Sequence, residues 1–184
     1  MVLFWRRTDV EGLERLTLTV GVTGVQAVST VVGAGDGGFR LDHAWQLTPD
    51  WHAVALQVVR WGADDDRRVL ALERNGGGWR VNGQHRPDLD GAEDPDMSVT
   101  PFCNMLPIRR LLSSGDASLT LDVAYVNGTD LTVSRSRQRY ERQESGRIRY
   151  VDLGLFPGFE ADLHVDERML VVSYEHLFER VDPS

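Results

Sequence analysis

A chain of 184 residues and 20.7 kDa is the size of one domain, and at this length folding hides about 70% of the unfolded surface, so no disulfide staple is needed. Hydrophobic residues at 41% and charged residues at 26% exclude a disordered chain and a coiled coil. No window nears the ~18 apolar residues of a membrane span, and the net charge of −8 argues against a dedicated nucleic-acid binder.

All 20 basic residues are Arg, as a GC-rich coding bias produces. The absence of Lys excludes a Schiff-base or phosphate-loop lysine. The single cysteine, Cys103, allows no internal disulfide and fits a reducing compartment. The opening MVLFWRRTDVEG lacks the basic start, apolar core and cleavage site of a secretory signal. A cytoplasmic location is expected.

Period-two alternation runs through the chain and marks strands. Strand-like runs fall at 13–20, 24–32, 39–47, 52–61, 67–74, 79–82, 97–100, 106–112, 118–125, 130–140, 147–152, 159–166 and 169–174. Thr8-x-x-Glu11 resembles a helix capping box, but Gly12 and the following alternation favour a strand. In 39–47, Phe39, Leu41, His43, Trp45 and Leu47 share one face. Residues 52–61 are apolar on both faces, which predicts a strand covered on both sides. Tyr174, Leu177, Phe178 and Val181 have helical spacing and predict a short terminal helix.

Turn signals separate the runs at Gly33–Gly38, Asp64–Asp66, Asn75–Gly78, Asn82-Gly83, Ser113–Asp116, Asn127-Gly128, Ser145-Gly146 and Pro157-Gly158. Many short strands without helical crossovers predict an all-β antiparallel roll, barrel or sandwich, in one domain over 1–184. For the hairpin at Asn127-Gly128, a two-residue loop sets Val123 against Thr132. One more loop residue pairs Val123 with Val133 and Tyr125 with Leu131. Burial favours the longer or bulged loop.

Several motifs carry candidate chemistry. Gly33-x-Gly35-x-Gly37 precedes a strand, so it reads as a hairpin loop and not a phosphate site. Asp88, Asp90, Glu93, Asp94 and Asp96 read as a solvated acidic turn, with salt bridges to Arg109 or Arg110 or a hard-cation site as alternatives. The five histidines show no metal spacing, and His43 reads as a satisfied core residue. Nothing local supports Cys103 as a nucleophile. Arg135, Arg137 and Arg139 alternate along one strand face and predict a salt-bridged surface or a seat for an anionic head group. Trp5, Trp45, Trp51, Trp61 and Trp79 predict core, or pocket walls against which sugar faces stack.

The strongest signal is 94–111, DPDMSVTPFCNMLPIRRL. Pro101 and Pro107 cannot donate to a ladder, so this stretch predicts an edge or crossover. Asn104 either ties off freed backbone groups or sits on a rim where Arg109 or Arg110 grips an anion in its planar fork.

That stretch, D-x-D-x5-F-x-N-x2-P-I-R-R, resembles the bacterial Putative glycolipid-binding family. Gly12-Leu13-Glu14 after Trp5, Asp50-Trp51, Trp79-Arg80-Val81-Asn82-Gly83, Gln138-Arg139-Tyr140 and Val165-Asp166 before Val171-Val172-Ser173-Tyr174 agree in order. The resemblance implies a many-stranded antiparallel roll with an interior able to take a lipid-like ligand. It carries no catalytic residues, metal or cofactor. The positions it marks are Trp79, Asp94, Asp96, Pro101, Phe102, Asn104, Pro107, Ile108, Arg109, Arg110, Gln138 and Tyr140, either as ligand contacts or as supports of the roll.

Three functions remain. The first is non-enzymatic binding of an amphipathic ligand such as a glycolipid, with arginines 109, 110 or 135–139 meeting its head. Ten buried methylenes contribute about 8 kcal/mol gross, enough for roughly micromolar binding. The second is an enzyme with a carboxylate and a histidine, such as Asp96 with His43, converging in the roll cavity. The third is an interaction domain with a filled interior.

Overall fold

The computed structural model describes residues 1–63, 66–144 and 146–181. In chain order it contains β1 (Val2–Arg7), β2 (Gly12–Gly21), β3 (Gly24–Gly33), β4 (Phe39–Leu47), β5 (Ala53–Trp61), β6 (Arg67–Asn75), β7 (Gly78–Val81), β8 (Gln84–Arg86), β9 (Pro95–Met97), α1 (Met105–Ser114), β10 (Ser118–Val126), β11 (Val133–Arg142), β12 (Ile148–Asp152), β13 (Glu160–Val165), β14 (Val171–Tyr174) and β15 (Phe178–Arg180). Asp64, Asp65 and Ser145, within two of the turn signals, lie outside the described residues.

All 15 strands form one sheet in the order β8-β7-β6-β5-β4-β3-β2-β1-β15-β14-β13-β12-β11-β10-β9. Every pairing is antiparallel except β9 with β10. The expected all-β fold is present, as a single sheet that no ladder closes. Its two ends nevertheless approach each other. Arg86 Nη2 on β8 donates to the Val133 carbonyl at 3.2 Å, and Arg135 Nη1 donates to the Asp90 carbonyl at 2.6 Å. The segment 87–94 bridges the gap, with Glu93 N bonded to Asp122 O at 2.7 Å.

Alternation sorts the strands into an inner and an outer face. On β2, Glu14, Leu16 and Leu18 are buried; on β3, Val25, Ala27, Ser29 and Val31; on β4, Leu41, His43, Trp45 and Leu47. On β11 the buried set is Val133, Ser136, Gln138 and Tyr140, so Arg135, Arg137 and Arg139 point outward. Arg135 meets Asp122 at 2.7 Å and Arg139 meets Glu141 at 2.6 Å. This is the salt-bridged surface reading. Trp5, Trp45 and Trp79 are core, and the Trp5 indole donates to Val171 O at 2.9 Å, tying β1 to β14. The Gly33–Gly38 stretch is the hairpin turn between β3 and β4.

Four expectations are corrected. Residues 106–112 are helix, not strand. Met105, Leu106, Ile108 and Leu111 share the buried face of α1, Pro107 sits in the first turn where its missing N–H is not needed, and Gly115 ends the helix at φ 77°. Residues 174–181 are a tight turn between β14 and β15 rather than a helix, with Leu177 N bonded to Tyr174 O at 2.9 Å. β5 is covered on one side only, since Val54 is 40% exposed.

The fourth concerns the β10–β11 hairpin. It pairs Val126 with Val133, Val123 with Ser136 and Leu121 with Gln138. Its loop is longer than either option weighed, and its inward face sets apolar side chains against polar ones. The reason is that Gln138 has polar partners inside, described below.

The sheet's interior is not an empty lumen. The chain itself enters it: residues 99–108 are buried without a break. Phe102 packs edge-on against Trp45, their centroids 5.6 Å apart. The core runs continuously from the β2–β6 half through this segment to the β10–β15 half.

Candidate functional site

One cavity remains beside that inserted segment. Its volume is about 270 Å³, it is partly open to solvent, and its lining includes Arg7 and the half-exposed Phe156. Six aromatic rings wall it: Tyr125, Tyr150, Phe156, Phe159, Tyr174 and Phe178. Tyr125 and Phe156 pair with centroids 5.5 Å apart, and the other four form a separate run, with Tyr150–Phe159 at 5.9 Å, Tyr150–Tyr174 at 6.0 Å and Tyr174–Phe178 at 6.2 Å between centroids. β9 and the segment that follows it add Asp96, Met97, Ser98, Thr100 and Asn104 to the lining, four of them polar.

The secondary structure places these groups. The parallel β9–β10 ladder sets Asp96 opposite Tyr125. Asn104 stands just before α1, where its amide would ordinarily cap the helix. A 3₁₀ turn over 102–104 already runs into α1, and no side-chain cap bond forms. The freed amide donates instead to the Tyr140 hydroxyl at 3.0 Å. Tyr140 Oη donates to Gln138 Oε1 at 3.2 Å, and Gln138 Nε2 donates to Asp96 Oδ2 at 2.5 Å. The Cys103 thiol donates to Asp96 Oδ1 at 2.9 Å. Asn104, Tyr140, Gln138, Asp96 and Cys103 thus form one hydrogen-bonded chain behind the cavity wall.

Burial dominates the electrostatics here. It pushes the Asp96 carboxyl up, against the hydrogen bonds from Cys103 and Gln138. Burial, then the nearby Asp96 charge, pushes the Cys103 thiol well above its ordinary value, so the thiol is a hydrogen-bond donor and not a thiolate nucleophile. The same two causes raise Tyr140, Tyr150 and Tyr174.

Phe156 reaches the cavity from the loop 153–158. Asp152 Oδ1 accepts from Gly154 N at 2.8 Å and Phe156 N at 2.9 Å, and Leu153 N donates to Arg137 O at 2.8 Å. A side chain at Gly154 would meet Arg137 N and Ser136 Oγ at 2.6 Å, so the loop lies tight on β11. Held this way, Leu153, Leu155 and Phe156 are 42%, 41% and 50% exposed. All three are apolar side chains presented to solvent, and Phe156 among them lines the cavity.

The residues marked by the sequence divide into three groups. Asp96 and Asn104 line the cavity, and Gln138 and Tyr140 hold those two in place. Phe102, Ile108 and Trp79 are core. Asp94, Arg109 and Arg110 lie elsewhere. Buried Asp94 accepts from Ala53 N at 3.0 Å and pairs with Arg110, which joins the start of β5 to α1. Arg74 covers Trp79 at 4.4 Å and approaches Asp94 to 3.9 Å. Arg109 lies over Trp51 at 4.0 Å and donates to Arg168 O at 2.7 Å.

Neither Arg109 nor Arg110 faces the cavity, and neither do the arginines at 135–139; the guanidinium at the mouth is Arg7, paired with Asp9 at 2.5 Å. Arg110 is spent on a buried acid and Arg109 on an indole, which explains the departure from the anion-gripping rim. The acidic run likewise disperses: Asp88 pairs with Arg86 at 2.7 Å and Asp90 with His85 at 2.8 Å. Among the described residues no group of three or more His, Cys, Asp or Glu is placed to hold a metal.

The convergence of Asp96 with His43 does not form. His43 Nε2 meets Glu14 Oε1 at 3.0 Å, and its Nδ1 accepts from the Trp45 indole at 2.9 Å. Glu14 Oε1 also accepts from Ser29 Oγ at 2.7 Å and Thr100 Oγ1 at 2.9 Å. His43 is the satisfied core histidine expected, in a network that ties β2, β3 and β4 to the inserted segment.

Sequence reasoning missed Tyr125, Tyr150, Phe156, Phe178 and Arg7 as a group. The available signal was that all four tyrosines and LGLFPG at 153–158 fall in the second half of the chain, away from the tryptophans.

The fold and this cavity define an all-β protein whose single bent sheet encloses an aromatic-walled, one-sided polar pocket. The chain belongs to the family described as "Putative glycolipid-binding", whose model matches residues 2–180. It is similar to the crystal structure of a DUF1089 family protein from Pseudomonas aeruginosa, with 30% identity, a TM-score of 0.79 and 92% of each chain covered. None of the curated proteins compared with the chain matches it.

Proposed function

We propose that this protein binds, without transforming it, an amphipathic sugar-bearing lipid in the cavity between the inserted segment and β12–β15. The carrying observation is the cavity itself: it is lined by six aromatic rings together with Asp96, Ser98, Thr100 and Asn104, and one of those rings, Phe156, is half exposed on a loop that also presents Leu153 and Leu155 to solvent. Aromatic walls with a few convergent polar groups are the usual make-up of a small-molecule pocket. The family description points to the same ligand class.

Asp96 and Asn104 are the contacting residues on this reading, and Gln138 and Tyr140 position them. Trp79, Asp94, Phe102, Ile108, Arg109 and Arg110 support the fold. The buried free thiol of Cys103 fits a reducing, cytoplasmic setting. No helix among the described residues is long and apolar enough to cross a membrane.

The test is native mass spectrometry of the full chain purified without detergent, followed by organic extraction and by displacement of a lipophilic dye. A bound glycolipid, or dye uptake reversed by glycolipid, is expected. An unliganded mass together with no dye uptake overturns the proposal.

A further inference from the structure

We infer that the cavity receives one sugar ring of the ligand and that the alkyl chain stays outside, on Leu153, Leu155 and Phe156; this rests on the binding role proposed above. Size comes first. Pockets for whole drug-sized ligands run from about 300 to 1,000 Å³. The 270 Å³ here holds a ring-sized group and not a glycolipid with its chains.

Polarity points the same way. Among the described residues, Asn104 Oδ1 and the Tyr174 hydroxyl have no hydrogen-bond partner, although Asn104 is 4% and Tyr174 6% exposed. Neither is sealed in the core, because the fully enclosed polar side-chain atoms left without partners are those of Glu14, Arg60, Arg109 and Arg110. Both line the cavity. Asp96 adds carboxylate lone pairs beyond the two occupied by Gln138 and Cys103. An alkyl chain would cover these groups and satisfy none of them. A sugar ring brings hydroxyls that donate to Asn104 Oδ1 and Asp96 and accept from Tyr174, while its C–H faces lie on Tyr150 and Phe159.

The rim completes the orientation. A chain leaving the mouth passes Phe156, which belongs to both the wall and the exposed apolar tip. Burying chain and tip against each other removes apolar surface from water on both sides.

The experiment is a calorimetric titration of the full chain with octyl glucoside, octyl galactoside and octyl mannoside, all below micelle formation, and with the matching methyl hexosides and octanol. At least one octyl hexoside binds saturably; its methyl counterpart competes at the same site more weakly; octanol does not compete. Tyr174→Phe, which keeps the ring, weakens that octyl hexoside about tenfold. Asn104→Leu does the same, and Tyr174→Phe decides the matter if Asn104→Leu fails to fold. Leu155→Ser narrows the advantage of octyl over methyl at least threefold. Octanol binding as tightly as the octyl hexoside, with Tyr174→Phe without effect, places the chain in the cavity and overturns the orientation while the binding role stands. No binding by any octyl probe overturns both.

Discussion

Raising the pH should unfold this protein through its cavity. All four tyrosines of the chain line or back the cavity, and Tyr140, Tyr150 and Tyr174 are 0%, 5% and 6% exposed. Burial, reinforced by the Asp96 charge, raises all three above their ordinary value. In the unfolded chain a tyrosine ionises near 10 and a cysteine near 8.5. Native stability is therefore undiminished below those values. Above them the unfolded state releases protons that the native state retains, and stability falls by about 1.4 kcal/mol per pH unit for each group. By pH 11 the three tyrosines remove about 4 kcal/mol and Cys103 about 3 kcal/mol more. That approaches the whole stability of an ordinary domain, about 5–15 kcal/mol. Tyrosinate absorbance and far-ultraviolet circular dichroism, followed along one titration, should rise and collapse together in a single cooperative step, Tyr125 included, since burial raises its hydroxyl as well. Three or four tyrosines titrating near pH 10 with unchanged dichroism would refute the burial argument.

Other consequences follow from single contacts. Arg110→Ala leaves buried Asp94 with the Ala53 N–H and, as counter-charge, Arg74 at 3.9 Å, and about 3 kcal/mol of stability should be lost in urea unfolding; Arg110→Ala combined with Asp94→Asn should recover part of that loss. Glu14→Ala strands the Ser29 and Thr100 hydroxyls and the His43 ring, at about 3 kcal/mol or more, whereas Glu14→Gln, which keeps an acceptor, should cost clearly less in the same assay. Cys103 should resist thiol reagents at pH 8 until the protein unfolds, so its modification rate should track denaturant-induced opening. Gly154→Ala would bring a methyl to 2.6 Å from β11, so it should shift the 153–158 loop and weaken octyl hexoside binding while lowering Tm by only a few degrees.

Alternation made most strands legible because one face of the sheet is solvated throughout, so Leu16, Leu18, Leu41, Trp45 and Ala161 read directly as core. β1, β8 and β15 escaped notice because strands of three to six residues carry too few periods. The 94–111 stretch was recognised as special and misassigned in part. Residues 99–108 lie inside the sheet, so the first turn of α1 is buried all round, and the polar face begins only at Arg109 and Arg110, too late in a ten-residue helix to betray its period. The arginines misled for a related reason: a sequence shows a guanidinium but not its partner, and Arg110 is committed to Asp94, sixteen residues back. The cavity was legible only as a family expectation, since its walls come from β10, β12, β14, β15 and two loops that meet through long-range pairing alone.

On the proposed function, ligand enters between the inserted segment and the aromatic rings of β10–β15. Backbone amide chemical shifts recorded while an octyl hexoside is titrated into the full chain test it most directly. The account predicts saturable shifts concentrated at Asp96, Ser98, Thr100, Asn104, Phe156, Phe159 and Tyr174. Shifts absent there, or confined to the outer faces of β2–β6, would contradict it.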